Sequence, residues 1–267
     1  MPTTLLPWFD SHCHFDFSAF DNDREEHWRL AQKAGVKGLV IPGITKQQGE
    51  RLSEFCNDNP WFYAQGLHPY FLAEHQNSDL DWLEQQLLSD ADLIAVGEIG
   101  LDKVLAQSDD ETAKQQHYFY SQVELAKAHK KKLILHIRGT HDEACAYLRR
   151  QNVTQGGIVH AFSGSEQQAK AWIDLGFKLG IGGAMTHSRA NKLRRTIKAI
   201  PAEFWLLETD SPDMKPAFWK GPNNSPMAIP LLAACIAAIK KMELSELSTL
   251  QQQSLTELFP SVTQAFN

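Results

Sequence analysis

Six residues able to ligate a metal are spread along this chain, each at the end of an apolar, strand-like run. They are His12 and His14 in WFDSHCHFD, Glu98 in LIAVGEIGLD, His136 in KLILHIRG, His160 in GGIVHAFSG and Asp210 in FWLLETDSP. His, Glu and Asp without cysteine suit Zn, Mn, Mg or Fe rather than a structural thiolate site. A carboxylate ending a buried strand is costly unless it is paired or held on a metal. Glu98 offers two oxygens and can bridge two ions. Two ions roughly 3.5–4 Å apart clamp the attacking and leaving oxygens of a displacement. Asp210 is the natural residue to orient the attacking water, as ligand and general base together. Each residue alone has an ordinary reading: a surface histidine pair, a buried salt bridge, a satisfied core histidine or a helix cap. Five strand ends carrying good ligand types at once are not what packing alone produces.

The spacing recurs because helical segments separate the apolar runs. Strand-like runs are WFDSHCH around 8–12, KGLVIPG, WFYAQG, LIAVGE, KLILHI, GGIVHAF, FKLGIGG and FWLLET. Helical patterns fit 22–34, 46–58, 78–90, 111–130, 140–151, 165–175, 188–199, 226–241 and 243–258. Several runs are near-continuously apolar, as parallel strands buried on both faces must be. The pattern predicts a single (β/α)8 TIM-type barrel over 1–267 with an extra C-terminal helix. On that fold, chemistry is built at the C-terminal rim of the strands. An open doubly wound sheet is the competing architecture. It lacks support from any glycine-rich phosphate loop. Asp10, His12 and His14 alternate, so a continued strand would turn all three to one face.

Hydrophobic residues make up 43%, enough for a full core. The net charge of −6 argues against holding nucleic acid by bulk electrostatics, so local groups and bound metal must supply positive charge. The four cysteines, Cys13, Cys56, Cys145 and Cys235, show no CxxC spacing, which points to a reducing compartment. By alternation Cys13 faces away from its histidine neighbours and reads as a packing residue. MPTTLLPWFDSH has neither the basic region nor the long apolar run of a signal peptide. The expectation is a cytoplasmic protein without a membrane span, monomeric or weakly oligomeric.

Six ordered segments carry a resemblance: DSHCHFD at 10–16, GLHP at 66–69, VGEIGLD at 96–102, LHIR at 135–138, HAFSG at 160–164 and LLETDSP at 206–212. Together they resemble the TatD family of metal-dependent deoxyribonucleases, within the amidohydrolase-like barrel superfamily. The resemblance implies an α/β barrel hydrolase with one or two divalent ions, Zn, Mn or Mg. His12, His14 and Asp210 would bind the first ion, Glu98 would bridge, and His136 and His160 would bind the second. His68 would reach a phosphate or leaving group, Arg138 would grip a phosphate bidentately, and Ser163 would donate to a phosphate oxygen. Glu208 shares strand parity with Asp210, so it would sit behind the ligands or pair with a basic group, and it is counted among the expected substrate contacts.

The activity implied is a phosphodiesterase removing nucleotides from DNA, from a 3′ end. The alternatives are a small-molecule ester or amide hydrolase and a metal-holding or nucleic-acid-binding protein without turnover. Intact Asp210 and Glu98 argue against the last. Lys103, Arg138, Lys215, Lys220 and the cluster Arg189, Lys192, Arg194 and Arg195 are the basic candidates for a phosphate backbone. Phe71, Phe218 and Trp219 are the loop aromatics able to stack on a base. The chain departs from the family in two places: LDKVLAQSDD after GLD, and GPNNSPMAIP where an Arg-Asn-Glu-Pro-like segment is usual. Asn224 and Pro226 keep part of that segment. The departures bear on substrate range and leave the metal ligands intact.

Overall fold

The computed structural model describes residues 5–266. Eight strands form one sheet in sequence order: β1 Trp8–Asp10, β2 Val36–Ile41, β3 Trp61–Gln65, β4 Ala95–Asp102, β5 Lys132–Arg138, β6 Gly157–Val159, β7 Phe177–Ile181 and β8 Trp205–Leu207. Every neighbouring pair is parallel. The helices between them are α1 Arg24–Lys33, α2 Lys46–Cys56, α3 Asn77–Ser89, α4 Asp109–Ala128, α5 His141–Arg150, α6 Glu166–Ile173 and α7 Asn191–Ala199. After β8 come α8 Ile229–Lys240 and the additional α9 Leu244–Leu258. This is the (β/α)8 barrel with an extra C-terminal helix that the apolar pattern predicts. No helix among the described residues is long and apolar enough to cross a membrane.

Two apolar layers explain why the strands are apolar on both faces. Outward side chains such as Val96, Ile99, Leu101, Leu133, Leu135 and Trp205 pack against the helices. Inward ones, Phe9, Val40, Phe62, Ala64, Ala95, Ile134, Ile158 and Leu206, fill the lumen floor. Leu255, Leu258, Phe259 and Val262, from α9 and the turn after it, join that floor. One end of the barrel is thereby filled, and the polar ligands gather at the other.

β4 breaks the alternation at the position that matters. Val96 pairs with Leu133 and Ile99 with Leu135, so β4 spends three steps where β5 spends two. Such an extra residue reverses side-chain facing beyond it. Counting by twos from outward Val96 would place Glu98 outside, among the helices. After the slip Ile99 and Leu101 face outward, and Glu98 faces the lumen. The glycines beside it are required by space. A Cβ on Gly100 would lie 1.7 Å from the His136 carbonyl oxygen, and one on Gly97 2.5 Å from Ile134 Cβ.

The seam between β8 and β1 is closed by separate backbone bonds. Ser11 N–H donates to Leu207 O at 2.9 Å, Asp210 N–H to His12 O at 2.9 Å, and His14 N–H to Ser211 O at 2.8 Å. Gln251 on α9 covers the peptide groups of β8 that this leaves over. Its Oε1 accepts from Leu207 N–H at 2.9 Å, and its Nε2 donates to Trp205 O at 2.6 Å. Gln122 on α4 makes the same paired contact with Leu67, and Gln115 with Asp102. Replacing Gln251 by Leu strips both partners from buried peptide groups, each worth about 1–3 kcal/mol. We expect Gln251→Leu to lower unfolding stability by about 3 kcal/mol in a denaturant titration. An unchanged midpoint would show that water serves these groups instead.

Candidate metal centre

Glu98, 1% exposed, stands at the middle of the barrel mouth. Its Oε2 lies 3.2 Å from His12 Nε2 and 3.5 Å from His14 Nε2. Its Oε1 lies 3.1 Å from His68 Nε2, 3.2 Å from His136 Nδ1 and 3.3 Å from His160 Nε2. Asp210 Oδ1 is 3.6 Å from Nε2 of both His12 and His14. One carboxylate therefore separates two groups of side chains, one facing each oxygen. All six residues expected as ligands meet here.

The donor set fits a cation. Three overlapping sets bring their ligand atoms within 4.8 Å of one another: His12, Glu98 and His160; His12, His14 and Asp210; and His68, Glu98 and His136. Both nitrogens of His12, Nδ1 of His14 and of His160, and Oε2 of Glu98 are buried without a hydrogen-bond partner. Burying such atoms unpaired costs about 1–3 kcal/mol each. A divalent ion among them answers several at once, and nitrogen–oxygen ligands without sulfur suit Zn, Mn or Mg.

Hydrogen bonds distinguish His68 from the other rings. The backbone N–H of Tyr70 donates to His68 Nδ1 at 3.0 Å. The neutral ring then carries its proton on Nε2, which donates to Glu98 Oε1 at 3.1 Å. A protonated nitrogen cannot hold a metal, so proximity alone overstates His68 as a ligand. His136 is the opposite case. Its Nε2 faces Asp102 Oδ2 at 3.0 Å, leaving the Nδ1 lone pair directed at Glu98. A carboxylate on the far nitrogen of a ligating histidine is the usual way to fix such a ring.

The electrostatics show an excess of buried negative charge. Burial would raise the Glu98 carboxyl, but His68, His160 and His12 outweigh it and hold the group well below its ordinary range. Burial opposes protonation of His160, yet Glu98, Asp210 and Glu208 overcome it and push the ring up to about 10. Burial, helped by His160, lowers His12 to about 3, so that ring is neutral. Burial lifts Asp210 to about 6 against the pull of His160 and His14.

The residues around this cluster depart from the sequence reading in places. β1 ends at Asp10, so alternation does not continue through His12 and His14. Asp10 turns instead to the β8 side, accepting from Thr209 N–H at 2.9 Å and Thr209 Oγ1 at 2.5 Å. Glu208, expected among substrate contacts, is 1% exposed and accepts from Ala161 N–H at 2.6 Å. It lies 3.6 Å from His160 Nδ1, so it backs that ring and does not face an incoming molecule. Arg138 is 60% exposed and 3.8 Å from Asp102, and Ser163 is exposed on the loop after β6. Both can be reached from solvent.

Among the basic candidates, Lys215 is spent on the carbonyls of Gly221 and Pro222, and Arg194 on those of Met185, His187 and Ser188. Tyr70 and Phe218 are the exposed rim aromatics, whereas Trp219 is half-buried and donates to Asn223 O. Cys13 is core packing. Asp102 and Thr209 are the members that residue patterns missed. Asp102 was visible only as the end of VGEIGLD, four residues beyond Glu98 and of the same parity.

Comparison with known proteins decides the family. The family model described as "TatD related DNase" matches residues 9–260. The chain belongs to the TatD family. A TatD-family relative from Escherichia coli K12, the uncharacterized metal-dependent hydrolase YjjV, is 37% identical over 246 residues, 91% of this chain and 94% of its own. The crystal structure of that TatD homologue superposes with a TM-score of 0.89 at 36% identity, covering 95% of this chain and 98% of the other. A protein of Erwinia billingiae named 3′-5′ ssDNA/RNA exonuclease TatD is 30% identical over 247 residues, 88% of this chain and 92% of its own. This chain is thus a TatD-family, metal-dependent hydrolase.

Within this TatD-family centre, Glu208 fills the space over Gly180, where a Cβ would lie 2.0 Å from Glu208 Oε2. Gly180→Ala should displace that carboxylate from Ala161 N–H and cost about 1–3 kcal/mol of stability, the usual range for overpacking. A melting temperature equal to the parent's would show that the loop after β6 yields freely.

Proposed function

We propose that this protein is a phosphodiesterase that removes nucleotides from the 3′ end of single-stranded DNA, using two divalent ions bridged by Glu98. The observation that carries the reading is the division of Glu98, with His12 and His14 at one oxygen and His136 and His160 at the other. In it, His12, His14 and Asp210 would hold one ion, and His136 and His160 the other. Ions bound there would supply Lewis acidity, easing the loss of a proton from water and offsetting charge on a phosphoryl oxygen.

The chain's own residues do the rest. Asp210 orients the attacking water and takes its proton, its side chain 14% exposed at the mouth. His68, its Nε2 proton directed inward and its basicity lowered by burial to about 4, donates a hydrogen bond to the phosphate or leaving oxygen. Arg138 reaches a neighbouring phosphate in the paired geometry that guanidinium favours, and Ser163 adds a hydroxyl donor. Asp102 holds His136 and Glu208 backs His160, so neither ring turns away. DNA as the substrate is supported by the name of the Erwinia relative. The net charge of −6 confines the grip on DNA to the rim of the site.

The test uses metal-stripped protein reconstituted with Mg, Mn or Zn and given short single-stranded DNA labelled at either end, with Asp210→Asn as control. Metal-dependent shortening from the 3′ end, absent in the control, is the expected result. Intact DNA with a protein that still binds metal would overturn it in favour of a small-molecule ester or amide hydrolase. Glu98→Gln should lose one ion per chain by elemental analysis and at least about 100-fold in rate. Wild-type metal content in that variant would exclude the bridging role.

A further inference from the structure

We propose that Asn224 is a positioning residue for the metal centre, locking Asp210 into a backbone conformation that aims its carboxylate at His12 and His14. The inference rests on the reading of Asp210 as a metal ligand, given above. Asp210 has φ +54°, in the left-handed region. A non-glycine residue holds that conformation at a working site when its surroundings over-determine it. Met214, in the same loop, has φ +47°.

Asn224 supplies the determination. It is fully buried in the segment between β8 and α8. Its Nδ2 donates at 2.8 Å to Thr209 O, the carbonyl of the peptide that leads into Asp210, and reaches Met214 O at 3.5 Å. Its own backbone N–H donates to Pro212 O at 2.8 Å. Asp210 is therefore bracketed on both sides by one residue fourteen positions away. From the opposite side, Asp10 holds Thr209 N–H and its hydroxyl. The Asn224 side chain cannot drift, because its neighbours are anchored to the other end of the chain. Asn223 Nδ2 donates to Ala19 O at 3.2 Å, and Ser225 Oγ lies 2.9 Å from His27 Nδ1 on α1.

Without the Nδ2 donor, Thr209 O is left buried and the following peptide is free to relax. The carboxylate then leaves the 3.6 Å approach it makes to both histidines. Asn224 Oδ1 has no partner, so the donor is the working end of the amide. Asn224→Asp removes that donor at constant shape and sets an oxygen against the Thr209 carbonyl. Asn223→Ala loosens the anchor at a half-buried position without opening a buried hole.

The test compares metal-stripped wild type, Asn224→Asp, Asn224→Ala, Asn223→Ala and Asp210→Asn. Each is titrated with Mn2+ by calorimetry and melted with and without the ion. The expected result is Mn2+ binding weakened about tenfold or more in both Asn224 variants and roughly threefold in Asn223→Ala. The melting increment that Mn2+ adds should shrink in step, beyond any change in the metal-free melt. Wild-type Mn2+ affinity in Asn224→Asp, alongside weakened binding in Asp210→Asn, would overturn the role of Asn224 alone. Wild-type affinity in Asp210→Asn would overturn the reading of Asp210 as ligand, and this inference with it.

Discussion

Negative charge buried at a barrel mouth is the constraint from which the rest of this molecule follows. Glu98 and Glu208 are each 1% exposed and Asp102 is nearly fully buried, while burial of Asp10 raises its carboxyl to about 8. A carboxylate removed from water must find positive charge or hydrogen-bond donors. Here each has a different answer. Asp10 takes the Thr209 peptide and hydroxyl, Asp102 takes His136 and the backbone after β4, and Glu208 takes Ala161 N–H. Glu98 is answered by imidazoles alone, arranged around both of its oxygens. The strand ends and loops bring those imidazoles together, in an arrangement that could hold a metal ion.

Much of this was legible in the residues because barrel strands advertise themselves. Continuous apolar runs such as LIAVG and KLIL, each ending in a ligand, mark both the strand and its C-terminal rim. The parallel order and the additional helix followed from the count of runs and from the helical spacing after Pro226. What stayed hidden depends on register and hydrogen bonding. Glu98 faces the lumen only because β4 slips against β5, and no count of residues reveals a slip. Asp10 looked like a third member of the His12–His14 face. The strand stops at Asp10, and its carboxylate serves Thr209, nearly two hundred positions away. His68 lies as close to Glu98 as the other histidines do. Only the Tyr70 amide on its far nitrogen shows that it is a donor.

Buried glutamines perform a quieter task throughout. Gln115, Gln122 and Gln251 each match one amide to a buried backbone N–H and C=O in or just beyond a strand, acceptor to N–H and donor to C=O. In sequence they sit within helical patterns, and no spacing marks them as buried. Gln251 serves the three-residue β8 at the seam, while Gln115 and Gln122 serve the rim ends of β4 and β3.

The seam gives the site a history as well as a shape. His12 and His14 come from the first strand's exit and Asp210 from the last's, and Gln251 seals the join from a helix synthesised later still. Closing so long a span is entropically costly and belongs late in folding. While a ribosome is still extending the chain, the early histidines are present without the aspartate that completes their set. On the ligand set proposed above, that centre would be incomplete until β8 and the turn after it have been made and have closed on β1.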